Sequence, residues 1–130
     1  MSRTSIERFK QWQADAKPML NSMMVVLYGA QDATTRSPQA MLSASDQLHA
    51  ASSAAVRWIP SHRCPVNDLD GVLTRLARSY SEAGDLLARE ARKPGGPDRA
   101  TLDRELTGLI GMLAVMWAVM KKQTAAESSV

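Results

Sequence analysis

The chain has 130 residues, a net charge of +3 and 45% hydrophobic residues. That length suits one compact domain, and that apolar content excludes disorder of the whole chain. A single cysteine excludes an internal disulfide.

The opening segment, MSRTSIERFKQWQADAK, holds no apolar run of signal-peptide length, so the expected location is cytoplasmic. Thr4-Ser-Ile-Glu7 matches the capping box, in which a hydroxyl and a carboxylate each take a free backbone N–H, and a first helix is expected to start there. Ile6, Phe9, Gln13, Ala16, Leu20, Met23 and Leu27 then recur at steps of three and four, with Gln13 the polar intruder. Pro18 falls inside this pattern, removes one helical hydrogen bond and crowds the carbonyl four residues back. The helix is therefore expected to kink or split near residues 14–17.

Ser37-Pro38, Cys64-Pro65 and Gly96-Pro97 each put proline where a helix could begin, because its fixed φ suits the first turn and its missing N–H costs nothing there. The second stripe is Met41, Ala44, Leu48, Ala51, Ala55 and Trp58. It is rich in alanine, which lets a neighbouring helix come close, and Ile59-Pro60 should end it. The third stripe is Leu69, Leu73, Leu76, Tyr80, Ala83 and Leu87. KPGGPD, residues 93–98, reads as a joint before the fourth stripe of Leu102, Leu106, Leu109, Leu113, Met116 and Met120. Nothing alternates with strand period. The expected fold is all-α, an up-down four-helix bundle forming one domain over residues 1–124, with a frayed tail over 125–130.

The basic excess suggests nucleic acid only until it is located. Lys and Arg are spread along the chain among comparable numbers of Asp and Glu, without the block that phosphate neutralisation calls for, so no nucleic-acid partner is expected. The longest near-apolar run, residues 109–120, falls short of the roughly 20 residues that span a bilayer, which argues against a transmembrane segment.

Trp58 to Asp68, WIPSHRCPVND, gathers a cysteine, a histidine and two prolines, and reads as a turn between helices. A metal centre needs three or four ligands and His62-x-Cys64 supplies two, with only His49 elsewhere, so neither metal nor cofactor is expected. Cys64 at a helix N-terminus beside His62 and Arg63 would be a reactive thiol; the plainer expectation is a small buried hydrophobe. Asp46, His49 and Ser53 spell an acid, a base and a nucleophile on one helix face. No strained elbow or oxyanion donors accompany them, and an ordinary polar face is the simpler expectation. No Gly-rich phosphate loop and no Glu-x-x-His pair of the di-iron bundles occurs. A non-enzymatic protein is therefore expected.

Methionine is the unusual feature. Met19, Met23 and Met24, with Tyr28, crowd the second half of the first helix, and Met112, Met116 and Met120, with Trp117, crowd the fourth. Both segments are apolar on more than one face, and a bundle buries one stripe per helix. These eight residues are the expected interaction surface for a protein partner or a homodimer, since flexible methionines repack readily, unless both segments are simply central core helices. The alternative is a carrier of an apolar ligand or lipid in the bundle interior. A third reading is peripheral membrane contact through Trp117, Lys121 and Lys122. Trp58-Ile59-Pro60 and Tyr28-Gly-Ala-Gln-Asp32 can be set beside the Trp-x-Gly turn and Tyr-x-x-x-Asp/Glu signal of the helical-hairpin substrates of type VII secretion. Proline replaces the glycine, the tyrosine precedes the turn, and four helices are expected instead of two; that family is not assigned and no residue role is carried over from it.

Overall fold

A computed structural model describes residues 3–65 and 68–128, with side chains over 5–65 and 68–122. It contains α1 (Arg3–Thr34), α2 (Pro38–Ser61), α3 (Leu69–Ala91) and α4 (Arg99–Ser128), and no strand among the described residues. Helices adjacent in sequence pack together, and α1 also packs on α4, while the diagonal pairs have no close backbone approach. The fold is a four-helix bundle with antiparallel neighbours. Ser45 of α2 lies beside Gly84 of α3 and Ser52 beside Ala77, and Gln13 near the start of α1 meets Met120 near the end of α4.

The four stripes supply the core. Every residue of the α3 and α4 stripes is buried, as are Phe9, Ala16, Leu20, Met23 and Leu27 of α1 and Met41, Ala44, Leu48 and Ala55 of α2. Each fully buried leucine stabilises the fold by about 1.5–3 kcal/mol relative to exposure. Gln13 earns its place in the α1 stripe by donating its amide to the Met120 carbonyl at 3.0 Å. Tyr80 spans the core diagonally from α3 and donates its hydroxyl to the Met23 carbonyl at 2.8 Å, and burial pushes that hydroxyl's pKa up.

α1 is one continuous helix through Pro18, so of the kink or split expected there, the split does not occur. Pro18 and Ala14 are both exposed, and water can satisfy the carbonyl that proline leaves without a donor. Helix starts follow the capping side chains more than the prolines. α2 starts at Pro38 as expected, and Ser37 caps it, accepting from the Ala40 N–H. α3, however, starts at Leu69 and not at Pro65, because the Asp68 carboxylate takes the Gly71 N–H. Likewise α4 starts at Arg99 and not at Pro97, with Asp98 accepting from both the N–H and the hydroxyl of Thr101. α2 continues to Ser61, so Pro60 sits inside its last turn. The capping box rests on the Thr4 side chain, outside the described residues. The expected frayed tail falls on side chains that are likewise not described, although α4 reaches Ser128.

α2 and α3 are the most intimate pair. Ser45 and Ser52 are buried and donate at 2.6 Å to the carbonyls of Gly84 and Ala77 on the facing helix. A Cβ on Gly84 would lie 2.8 Å from His49 Nε2 and 3.1 Å from the Ser45 carbonyl, so only glycine leaves room for this approach. The α3–α4 seam is looser and opens outward.

Candidate interaction surface

The expected interaction residues divide by depth. Met23, Met116 and Met120 are buried and belong to the core. The reason is their phase: each already sits in a core stripe, and one side chain cannot serve both faces of a helix. Met19, Met24 and Trp117 are half-buried against that core. Tyr28 and Met112 are exposed, and they are joined by exposed apolar residues outside the expected set: Val25, Val56, Val115 and Val119.

Apart from Val56 on α2, these residues form two apolar areas, on α1 and α4, the helices expected to carry them. On α1, Val25 and Tyr28 stand one turn apart. On α4, Met112, Val115 and Val119 follow one another at steps of three and four, continuing a line that begins with Glu105 and Gly108 and ends with Lys122. All six residues of that line are exposed. α4 thus carries two apolar stripes, one buried against the bundle and one facing out. Between Glu105 and Lys121 the sequence LTGLIGMLAVMWAVM contains no charged side chain, over about 22 Å of helix at 1.5 Å per residue.

The outer stripe borders the open α3–α4 seam. Val72, Arg75, Gly111, Met112 and Val115 line a shallow groove of about 500 Å³. Farther along the same seam, Ser79, Glu82, Arg104, Glu105, Gly108 and Met112 line a second depression of about 400 Å³. The long seam therefore has an apolar middle and an acid-rich end, where Arg104 leans back 3.5 Å from the Thr101 hydroxyl. Beyond the other end of the α4 stripe stand Lys121 and Lys122.

The polar constellations have structural work of their own. His49 does not engage Asp46 or Ser53, which are exposed on α2. Its ring reaches α3, with Nε2 3.1 Å from Asp85 Oδ1 and Nδ1 3.4 Å from Ser81 Oγ. This is a serine, a histidine and an aspartate in line, but the Asp85 side chain is 70% exposed, and an orienting acid in a nucleophilic triad is held and buried. The arrangement ties α2 to α3 above the Gly84 contact.

The described residues of WIPSHRCPVND, 58–65 and 68, lie at the corner between α2 and α3. His62 caps α2, stacks on Trp58 with centroids 4.3 Å apart, and accepts the Trp12 indole N–H on its carbonyl. Trp12 in turn lies edge-on to Trp58 and stacks with Phe9, closing that end of the bundle with aromatic rings. The half-buried Cys64 donates its N–H to Asp70 Oδ1 at 3.0 Å, and Arg63 approaches the same carboxylate at 3.7 Å. The helix dipole invoked for a reactive Cys64 is not at hand, because α3 starts five residues later at Leu69.

At the opposite end, Glu90 is 3% exposed and organises the α3–α4 turn. Its carboxylate pairs with Lys93 and accepts the Asp98 N–H at 2.8 Å. These bonds, the one to Lys93 first, hold its pKa below the usual carboxylate range; bonds from Thr101 do the same for Asp98. Among the described residues no group of three or more His, Cys, Asp and Glu side chains is placed to hold a metal ion, and no helix is long and apolar enough to cross a membrane. Comparison with protein-family models, with curated proteins and with solved structures gave no match.

Proposed function

We propose that the protein acts without catalysis, by protein–protein interaction through the outward apolar stripe of α4. The observation that carries this reading is that Met112, Val115 and Val119 remain 43%, 62% and 40% exposed in a bundle whose core is already complete. A solvent-facing helix side normally carries charge, and a run of apolar residues there is stabilised only when something covers it. Val25 and Tyr28 on α1 offer a second, smaller contact.

The test compares the wild-type chain with Val115→Glu, each immobilised and exposed both to an extract of its source cells and to free copies of the chain. A specific protein or second copy retained by the wild type and lost from the variant supports the reading. Identical retention by the two would sink it.

A further inference from the structure

We infer that the occupant of the α4 stripe is the α4 stripe of a second copy, packed antiparallel about a twofold axis near residues 113–114. The inference rests on the interaction reading above and adds the partner and its register.

Glu105, Gly108, Met112, Val115, Val119 and Lys122 are separated by steps of three, four, three, four and three. That sequence of steps reads the same in both directions. A helix bearing it can therefore lie against a reversed copy of itself with every stripe residue opposite another, as an isologous twofold contact requires. In that register Glu105 faces the Lys122 of the second copy, Gly108 faces Val119, and Met112 faces Val115, each pair occurring twice.

The pairs are complementary in kind. A glycine with nothing within 4 Å of its would-be Cβ leaves a hollow for a valine. Methionine meets valine across the axis as in a helix–helix core. At each end a carboxylate meets an ammonium, and Glu82, which lines the acid-rich end of the seam beside Glu105, adds a second carboxylate for the incoming lysine. Arg104 at that end leaves the balance negative. A parallel pairing would instead set Glu105 against Glu105 and Lys122 against Lys122, so the charges select the antiparallel one. Arg75, at the middle of the groove, can lay its aliphatic stem along the incoming helix with its head in water.

One helix pair of this length buries an area at the low end of stable interfaces, so the dimer should be concentration-dependent. The measurement is mass by light scattering after size-exclusion chromatography, on the full chain at low ionic strength, over loadings from about 1 μM to about 500 μM. The wild type is expected to move from monomer to dimer within that range. Glu105→Lys and Lys122→Glu each turn two attractions into repulsions, and each should weaken dimerisation about tenfold or more. Both residues are exposed, so helicity should be unchanged. The double variant E105K/K122E should restore the dimer, and an equimolar mixture of the two single variants should form a heterodimer.

A wild type that stays monomeric at every loading overturns the inference, as does a dimer indifferent to the single charge reversals. Failure of the double variant to recover would also reject the register. If the wild type is monomeric yet retains another protein that Val115→Glu loses, the interaction reading stands and only the second copy falls. If Val115→Glu also changes no retention, both fall together.

Discussion

Gly84 and Gly29 are both helical glycines, yet they should respond in opposite directions to alanine. Gly29 has nothing within 4 Å of the added Cβ, so Gly29→Ala should gain the helix-propensity difference and raise stability by about 0.5–1 kcal/mol. At Gly84 the same gain is opposed by overpacking, because the Cβ meets the His49 ring and the Ser45 backbone. Overpacking costs typically 1–3 kcal/mol, so Gly84→Ala should be destabilising by about 1 kcal/mol and should loosen His49 from Asp85. Urea unfolding of the two variants checks both signs, and equal stabilisation by both would mean that α2 and α3 are farther apart than described. Glu90 gives a residue-scale pH effect. Its pKa is lowered in the fold by Lys93 and the Asp98 N–H, so its contribution is complete above the ordinary carboxylate pKa and is lost as pH falls through the lower folded value. The α3–α4 turn should therefore loosen below pH about 4, read as a shift of the Asp98 amide resonance, and Glu90→Gln should remove most of that pH dependence.

At the scale of elements, much of the bundle was legible because its signals are local. Ser37-Pro38 carries a capping hydroxyl and a first-turn proline in adjacent positions, and α2 begins where both say it should. Cys64-Pro65 and Gly96-Pro97 carry the proline without the cap, and there Asp68 and Asp98 decide the start by satisfying amide groups that proline cannot reach. Pro18 does not interrupt α1, whose Ala14 carbonyl lies on an exposed side that water can reach. The close approach of a neighbour to α2 was legible in composition, through alanine, but which helix it would be and the hydrogen bonds it makes were not. Ser45 and Ser52 find carbonyls 39 and 25 residues away in sequence, and only the assembled register brings those together. Ser45→Ala and Ser52→Ala should each cost about 0.5–1.5 kcal/mol, the net value of a buried hydrogen bond. Ser53→Ala on the exposed side of the same helix should leave the melting temperature nearly unchanged, and three equal effects would show that the inter-helix bonds contribute nothing.

For the molecule as a whole, the question posed by the sequence was how a bundle with one buried stripe per helix disposes of its surplus apolar residues. Periodicity alone could locate the surplus on α1 and α4 but could not apportion individual methionines, because Met112 and Met116 stand one turn apart and differ by only about 40° around the helix. The fold resolves them: Met116 is 2% exposed and Met112 is 43% exposed. The two are therefore a matched pair for separating core from surface. Met116→Glu would place a carboxylate in a closed apolar interior, where it must either stay charged without a partner or take up a proton, and it also removes the methionine's packing. Each route costs several kcal/mol, comparable with the roughly 5–15 kcal/mol that stabilises a domain of this kind. Met112→Glu adds an exposed carboxylate to a helix face in water and should alter stability by no more than about 0.5 kcal/mol. Circular dichroism melts of dilute protein, where any assembly is dissociated, should thus show Met116→Glu largely unfolded or melting far earlier, and Met112→Glu melting with the wild type. If Met112→Glu also collapsed the fold, its side chain would belong to the core and the outward stripe of α4 would lose its central member. If Met116→Glu were tolerated, the interior would have room or polarity that its packing among leucines does not provide.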